Sequence, residues 1–166
     1  MGNYREVSGD LIRLAKNGEF DVIAHGCNSF CNMGAGIAPQ MAKAFGADKF
    51  KMEGEEYKGQ FNKLGNIDFE HTWLSLGGGI DKRLSVVNAY TQYGYGRNHQ
   101  GGTKQPLDYI ALTMCLRKMN YEFKGSHVGL PTIGCGLGGG DEKLVIEIIK
   151  GEFRDCNVTV VIYDGK

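Results

Sequence analysis

The sequence lacks charge of one sign. Nineteen Lys and Arg balance nineteen Asp and Glu, and the sequence pI is about 6.9. The broad basic footprint of a protein that coats nucleic acid is therefore absent. No apolar stretch approaches the ~18 residues of a membrane-spanning helix, and the N-terminus carries no signal-peptide pattern. These absences predict a soluble, cytoplasmic chain. Cysteine is limited to five residues, an odd number. Cys27 and Cys31 are not followed by a second Cys/His pair at zinc-finger spacing, so five reduced thiols and no bound metal are expected. None of Cys27, Cys31 and Cys135 is followed by Arg six residues on, which excludes a cysteine-phosphatase signature. Internal repeats and domain-separating linkers are missing too. With 166 residues, the expectation is one domain over residues 1–166.

Glycine is abundant. The 26 glycines are twice the usual ~7%, and many fall in three clusters: Gly34 with Gly36, Gly77 to Gly79, and Gly134 to Gly140. Clustering of this kind marks loops. The first cluster follows an apolar run, Val22-Ile23-Ala24, and precedes an amphipathic segment in which Ile37, Met41 and Phe45 recur at i, i+4 and i+8. A strand that enters a helix through a glycine loop leaves backbone N–H groups at the helix N-terminus, where the dipole adds positive potential. A phosphate or diphosphate is the ligand such a loop suits.

The rest of the chain alternates strand and helix signals. Strands are predicted over residues 4–7, 21–25, 66–76, 84–92, 127–130 and 158–163. Residues 66–76 and 84–92 form a hairpin through Gly77-Gly78-Gly79. Asp10 caps a helix to about Lys16. Pro39 is tolerated in the first turn of the next helix, and Gly46 ends it. Pro106 opens a long helix with Leu107, Ile110, Ala111, Met114 and Cys115 on one face. Asp141 caps a last helix with Leu144, Val145, Ile148 and Ile149 turned inward. Residues 49–62 read as a solvated, partly helical face, and residues 93–104 as a mobile surface loop. The alternation implies an α/β domain with a mostly parallel sheet covered on both faces. In such sheets ligands sit beyond the C-terminal strand ends. Three of the marked loops leave from such ends: residues 8–10, 25–36 and 131–140.

Five blocks in order resemble the macro domain family: Val7-Ser8-Gly9-Asp10-Leu11, Ile23-Ala24-His25-Gly26-Cys27-Asn28, Met33-Gly34-Ala35-Gly36-Ile37-Ala38, Val86-Val87-Asn88-Ala89-Tyr90-Thr91-Gln92, and the run from Leu130 to Gly140. The resemblance covers nearly the whole chain. It implies a three-layer α/β/α sandwich with a mixed, mostly parallel sheet that binds ADP-ribose. The His-Gly-Cys-Asn block is most similar to the branch of ADP-ribose-1″-phosphate phosphatases related to the yeast enzyme.

By that resemblance, Asp10 takes the adenine amino group beside the Leu11 backbone, and Asn28 holds the distal ribose. Gly34, Ala35, Gly36 and Ile37 line one side of the diphosphate, with Thr132, Gly134, Cys135, Gly136, Leu137, Gly138 and Gly139 on the other. Tyr163 packs on the adenine. Where many members have Asn-Ala-Ala-Asn, this chain has His25-Gly26-Cys27-Asn28. Thr91-Gln92-Tyr93 stands where a glutamate-cleaving branch has a lysine.

Two readings of His25 are open: a hydrogen-bonded core histidine, or an acid–base group or nucleophile at the 1″-phosphate. Asp141 is a helix cap or its catalytic partner, and Asp10 is a cap, a ligand contact or both. The expected activity is hydrolysis of ADP-ribose-1″-phosphate by a monomer without cofactor or divalent ion. Removal of ADP-ribose from protein or nucleic acid, and binding of ADP-ribose without chemistry, are the alternatives.

Overall fold

The computed structural model describes residues 2–96 and 99–165; Arg97 and Asn98 of the expected surface loop lie outside the described residues. In chain order the elements are β1 (Tyr4–Gly9), α1 (Leu11–Lys16), β2 (Val22–Asn28), α2 (Ala38–Phe45), β3 (Ile67–Ser75), β4 (Asp81–Gln92), α3 (Tyr109–Glu122), β5 (His127–Leu130), α4 (Glu142–Glu152) and β6 (Asn157–Tyr163). Four single 3₁₀ turns fill most of the stretch between α2 and β3.

The strands form one six-stranded sheet in the order β1-β6-β5-β2-β4-β3. Every neighbouring pair is parallel except β3 with β4, which the glycine turn at residues 77–79 joins as a hairpin. All three of those glycines hold positive φ, between 61° and 88°, which side-chain-bearing residues resist. The result is a mixed, mostly parallel sheet of the expected class.

Alternation along the strands divides the core. Val22, Ala24, Val87, Val128, Leu130, Val158 and Val160 face α3 and α4. Ile23, Leu84, Val86 and Val161 face α1, α2 and the first 3₁₀ turn. Helices thus cover both faces, and β2 reads as a continuous apolar run because it is buried on both sides. Among the described residues, no helix is long and apolar enough to cross a membrane.

Two expectations about helices change. α3 starts at Tyr109 and not at Pro106, because Asp108 is extended (φ −104°, ψ 111°) and the segment before it is tied elsewhere: Leu107 donates to the Gly138 carbonyl and Asp108 to the Thr91 carbonyl. Asp108 is the cap, accepting from the Ile110 and Ala111 N–H groups at 3.0 Å each. That start turns Ile110 outward (79% exposed), exposes Met114 as well, and brings in Leu112, Leu116 and Met119. In α4, Val145 and Ile149 are core residues, Ile148 packs against them, and Leu144 is exposed.

The stretch read as a solvated face is also different. Its 3₁₀ turns are tied to the sheet by polar side chains. Asn88 donates to the Ala47 carbonyl (2.9 Å), Asp68 accepts from the Met52 N–H (2.7 Å), and Tyr90 donates to Glu53 (2.7 Å).

Candidate functional site

Because β1, β2, β4, β5 and β6 run parallel, their C-terminal ends share one edge of the sheet. The loops after β1, β2 and β5 therefore open on the same side, and β2 and β5 are direct neighbours. The convergence expected from the sequence is present.

The first loop, residues 29–37, is shaped by two asparagines. Asn28 is buried, and its side chain closes the loop on itself. Oδ1 accepts from the Phe30 (3.0 Å) and Asn32 (3.3 Å) N–H groups, while Nδ2 donates to the Asn32 carbonyl (2.8 Å). The amide expected to hold a ribose is thus engaged in loop geometry. Asn32 then accepts from the Gly34 N–H at 2.9 Å. The sequence reading passed over Asn32, although Asn-x-Gly is the signal of a side chain that bonds its own backbone two residues on.

Beyond it, Gly36 adopts φ 65° with open space where a Cβ would stand, and Ile37 caps α2 without a side-chain hydrogen bond. Among the described residues, the N–H groups of Ala35, Gly36, Ile37 and Ala38 meet no protein acceptor. Four unclaimed donors at a helix N-terminus are an arrangement that can take an anion.

The second loop, residues 131–140, is knotted by its own backbone. Gly140 donates to Gly134 (2.7 Å), Gly139 to Gly136 (3.0 Å) and Cys135 to Thr132 (3.1 Å). Its glycines divide by role. A Cβ on Gly134 would strike Leu107 at 2.6 Å, and one on Gly138 would strike the Gly134 carbonyl oxygen at 2.6 Å, so both glycines serve the loop's own packing. Gly136 would meet nothing within 4 Å, and among the described residues its N–H and that of Leu137 have no protein acceptor. Gly136 and Leu137, the latter 79% exposed, form the outward rim. Cys135 is half-buried, its thiol pushed up to about 11 by burial and by nearby Glu142 and Asp141.

At the third strand end, Asp10 caps α1 by accepting from the Arg13 N–H at 2.9 Å, and Leu11 is buried beneath it. Gly9 pairs in register with Tyr163, which places this aromatic, 67% exposed, next to Asp10. Asp141 caps α4 through the Lys143 and Leu144 N–H groups, is exposed, and directly follows the second loop.

His25 is where the structure departs most from expectation. Its side chain points to the α1/α2 face and is fully buried. Asn88, its register partner, spends its amide N–H on Ala47, so Asn88 Oδ1 is the acceptor and His25 Nε2 the donor at 2.7 Å. Nδ1 is left without a partner among the described residues. Burial lowers the imidazole pKa to about 4, against a smaller upward pull from the Asn88 hydrogen bond. A neutral imidazole sealed in the core and bonded to Asn88 favours the core-histidine reading over the catalytic one. Asp10, Tyr163 and the two loops do gather at one edge; His25 does not join them.

No family model matches the chain. It is 29% identical over 167 residues to a protein of Enterobacteria phage T4 described as an uncharacterized 17.5 kDa protein in the tk-vs intergenic region, with 95% of each chain covered. Among solved structures it resembles the macrodomain of Mycobacterium tuberculosis DarG, at 20% identity over 97% of this chain and 98% of that one, with a TM-score of 0.68. It also resembles Thermosipho africanus DarTG in complex with ADP-ribose, at 18% identity over all of this chain and 43% of that one, with a TM-score of 0.69. These likenesses show that the chain has the macrodomain fold.

Proposed function

We propose that the protein binds ADP-ribose across the edge where the loops after β1, β2 and β5 meet. The observation that carries this reading is the pair of backbone cradles. The unclaimed N–H groups of Ala35 to Ala38 and those of Gly136 and Leu137 belong to loops that leave the same edge of the sheet, and neither segment carries a charged side chain. A diphosphate suits that arrangement, because peptide donors hold its oxygens while Gly36 and Gly136 leave room for close approach. Asp10 beside Tyr163 supplies an acceptor for an amino group and an aromatic face for a purine. The same fold in a DarTG solved with ADP-ribose adds to the reading.

The finer proposal is that the 1″-phosphate of ADP-ribose-1″-phosphate is hydrolysed here. With His25 sealed, Asp141 is the exposed acid–base candidate beside the second loop, and it would activate a water rather than attack phosphorus itself. The burial of His25 favours a second reading over the first, in which ADP-ribose, free or attached to another molecule, is bound without chemistry. Incubating the protein with ADP-ribose-1″-phosphate, with ADP-ribosylated protein and with ADP-ribosylated nucleic acid separates the readings. Phosphate release that Asp141→Asn abolishes supports the phosphatase. Free ADP-ribose from either conjugate supports a hydrolase, and no product alongside saturable binding supports the binding module.

A further inference from the structure

Beneath the first loop lies a charged group that the ADP-ribose reading does not use. Lys63, 1% exposed, sits 3.7 Å from Glu53 Oε2, whose side chain is 2% exposed. The Tyr90 hydroxyl donates to the same carboxylate oxygen at 2.7 Å, and the ammonium lies 4.5 Å above the Tyr90 ring. The remaining polar contacts of the Lys63 ammonium both go to the loop: Nζ donates to the Ser29 carbonyl at 3.3 Å and to Cys31 Sγ at 3.4 Å. Ser29 is also held by the Gly59 N–H, and Cys31 stands at φ 59°, in the left-handed region that a non-glycine residue occupies only under constraint.

Burying an ion pair is a poor way to gain stability. Well-packed apolar residues of similar volume usually serve as well or better, because both charges must be stripped of water. What the pair does provide is direction. Tyr90 fixes Glu53, Glu53 fixes Lys63, and Lys63 grips the loop at Ser29 and Cys31, one and three residues beyond Asn28. We infer that Lys63, Glu53 and Tyr90 are positioning residues that hold residues 29–32 in the shape that receives the sugar beyond the diphosphate. This rests on the ADP-ribose reading and names a part of the chain that touches no ligand.

The test compares two ligands that share adenine and diphosphate and differ in the distal ribose: ADP-ribose and ADP. Removing both charges together, as Lys63→Met with Glu53→Gln, avoids leaving one charge buried alone. Calorimetry on this double variant is expected to show ADP-ribose binding weakened by about tenfold and ADP binding within about twofold of wild type. A structural role alone would weaken both ligands together or neither, and either result overturns the inference. Tyr90→Phe keeps both charges and loosens only Glu53; it should lose the same preference to a smaller degree, which keeps the test decisive if the double variant melts early. Wild type that binds both ligands, with unchanged preference in the variants, sinks this inference and leaves the ADP-ribose reading standing. Wild type that binds neither sinks both.

Discussion

The two faces of the sheet are built on different principles. Toward α3 and α4, β2, β4, β5 and β6 present valine, alanine and leucine to Leu112, Leu116, Met119, Val145 and Ile149. That face is held by apolar burial, which has no direction. Toward α2 and the 3₁₀ turns, the same β2 and β4 carry two sets of directed contacts: His25 with Cys27 and Asn88, which reaches Ala47, and Tyr90 with Glu53 and Lys63. The second set reaches the first loop and ends at Ser29 and Cys31. The first face supplies cohesion alone; the second has its own apolar core around Ile23, Leu84 and Val86 and in addition sets where the loop stands.

The difference can be broken from either side. Lys63→Met alone leaves Glu53 buried without its cation and should cost about 3–5 kcal/mol in urea unfolding, with much of the loss recovered when Glu53→Gln is added. Leu116→Ala on the other face leaves a cavity and should cost about 2–5 kcal/mol, with no second substitution that repairs it and no change in ligand preference. Recovery by a partner substitution is thus the signature of the polar face.

Acid sharpens the contrast. The folded pKa of His25, about 4, lies below the ordinary 6.5, so the unfolded chain binds a proton first as pH falls. The stability that neutral His25 contributes is complete above pH 6.5 and is lost as pH drops to and through 4, by about 3 kcal/mol at the acid end. The difference in unfolding free energy between wild type and His25→Gln should follow that curve, while Leu116→Ala should run parallel to wild type. A flat difference between pH 7 and 4 would show that the imidazole is not sealed.

A smaller effect belongs to the rim. Asp10→Ala should weaken ADP-ribose binding by about 1–3 kcal/mol through a lost hydrogen bond, and should also cost about 1 kcal/mol of stability, because the Arg13 N–H loses its cap. Calorimetry and thermal melting on one sample separate the two losses.

Most of the architecture was legible in the sequence, since β2 reads as a buried apolar run and the glycine clusters fall at strand ends. The polar face was not. Lys63 and Glu53 look like surface residues in a stretch of charges, because nothing local says that the 3₁₀ turns fold them under the loop onto Tyr90. Likewise, the position of His25 before a glycine loop suggested chemistry, and strand parity turned it inward. The pattern also could not show that Gly134 and Gly138 pack the loop while Gly136 stands open, since that depends on Leu107 arriving from α3's leader.

The central claim is a diphosphate held by backbone at residues 35–38 and 136–137. Gly136→Val puts a branched side chain at the second cradle, where the added Cβ meets nothing within 4 Å. Titration of ADP-ribose into both proteins by calorimetry should give saturable 1:1 binding for wild type and none for Gly136→Val, with unchanged melting temperature. Equal affinity in the two proteins, or no binding by wild type, would contradict the account.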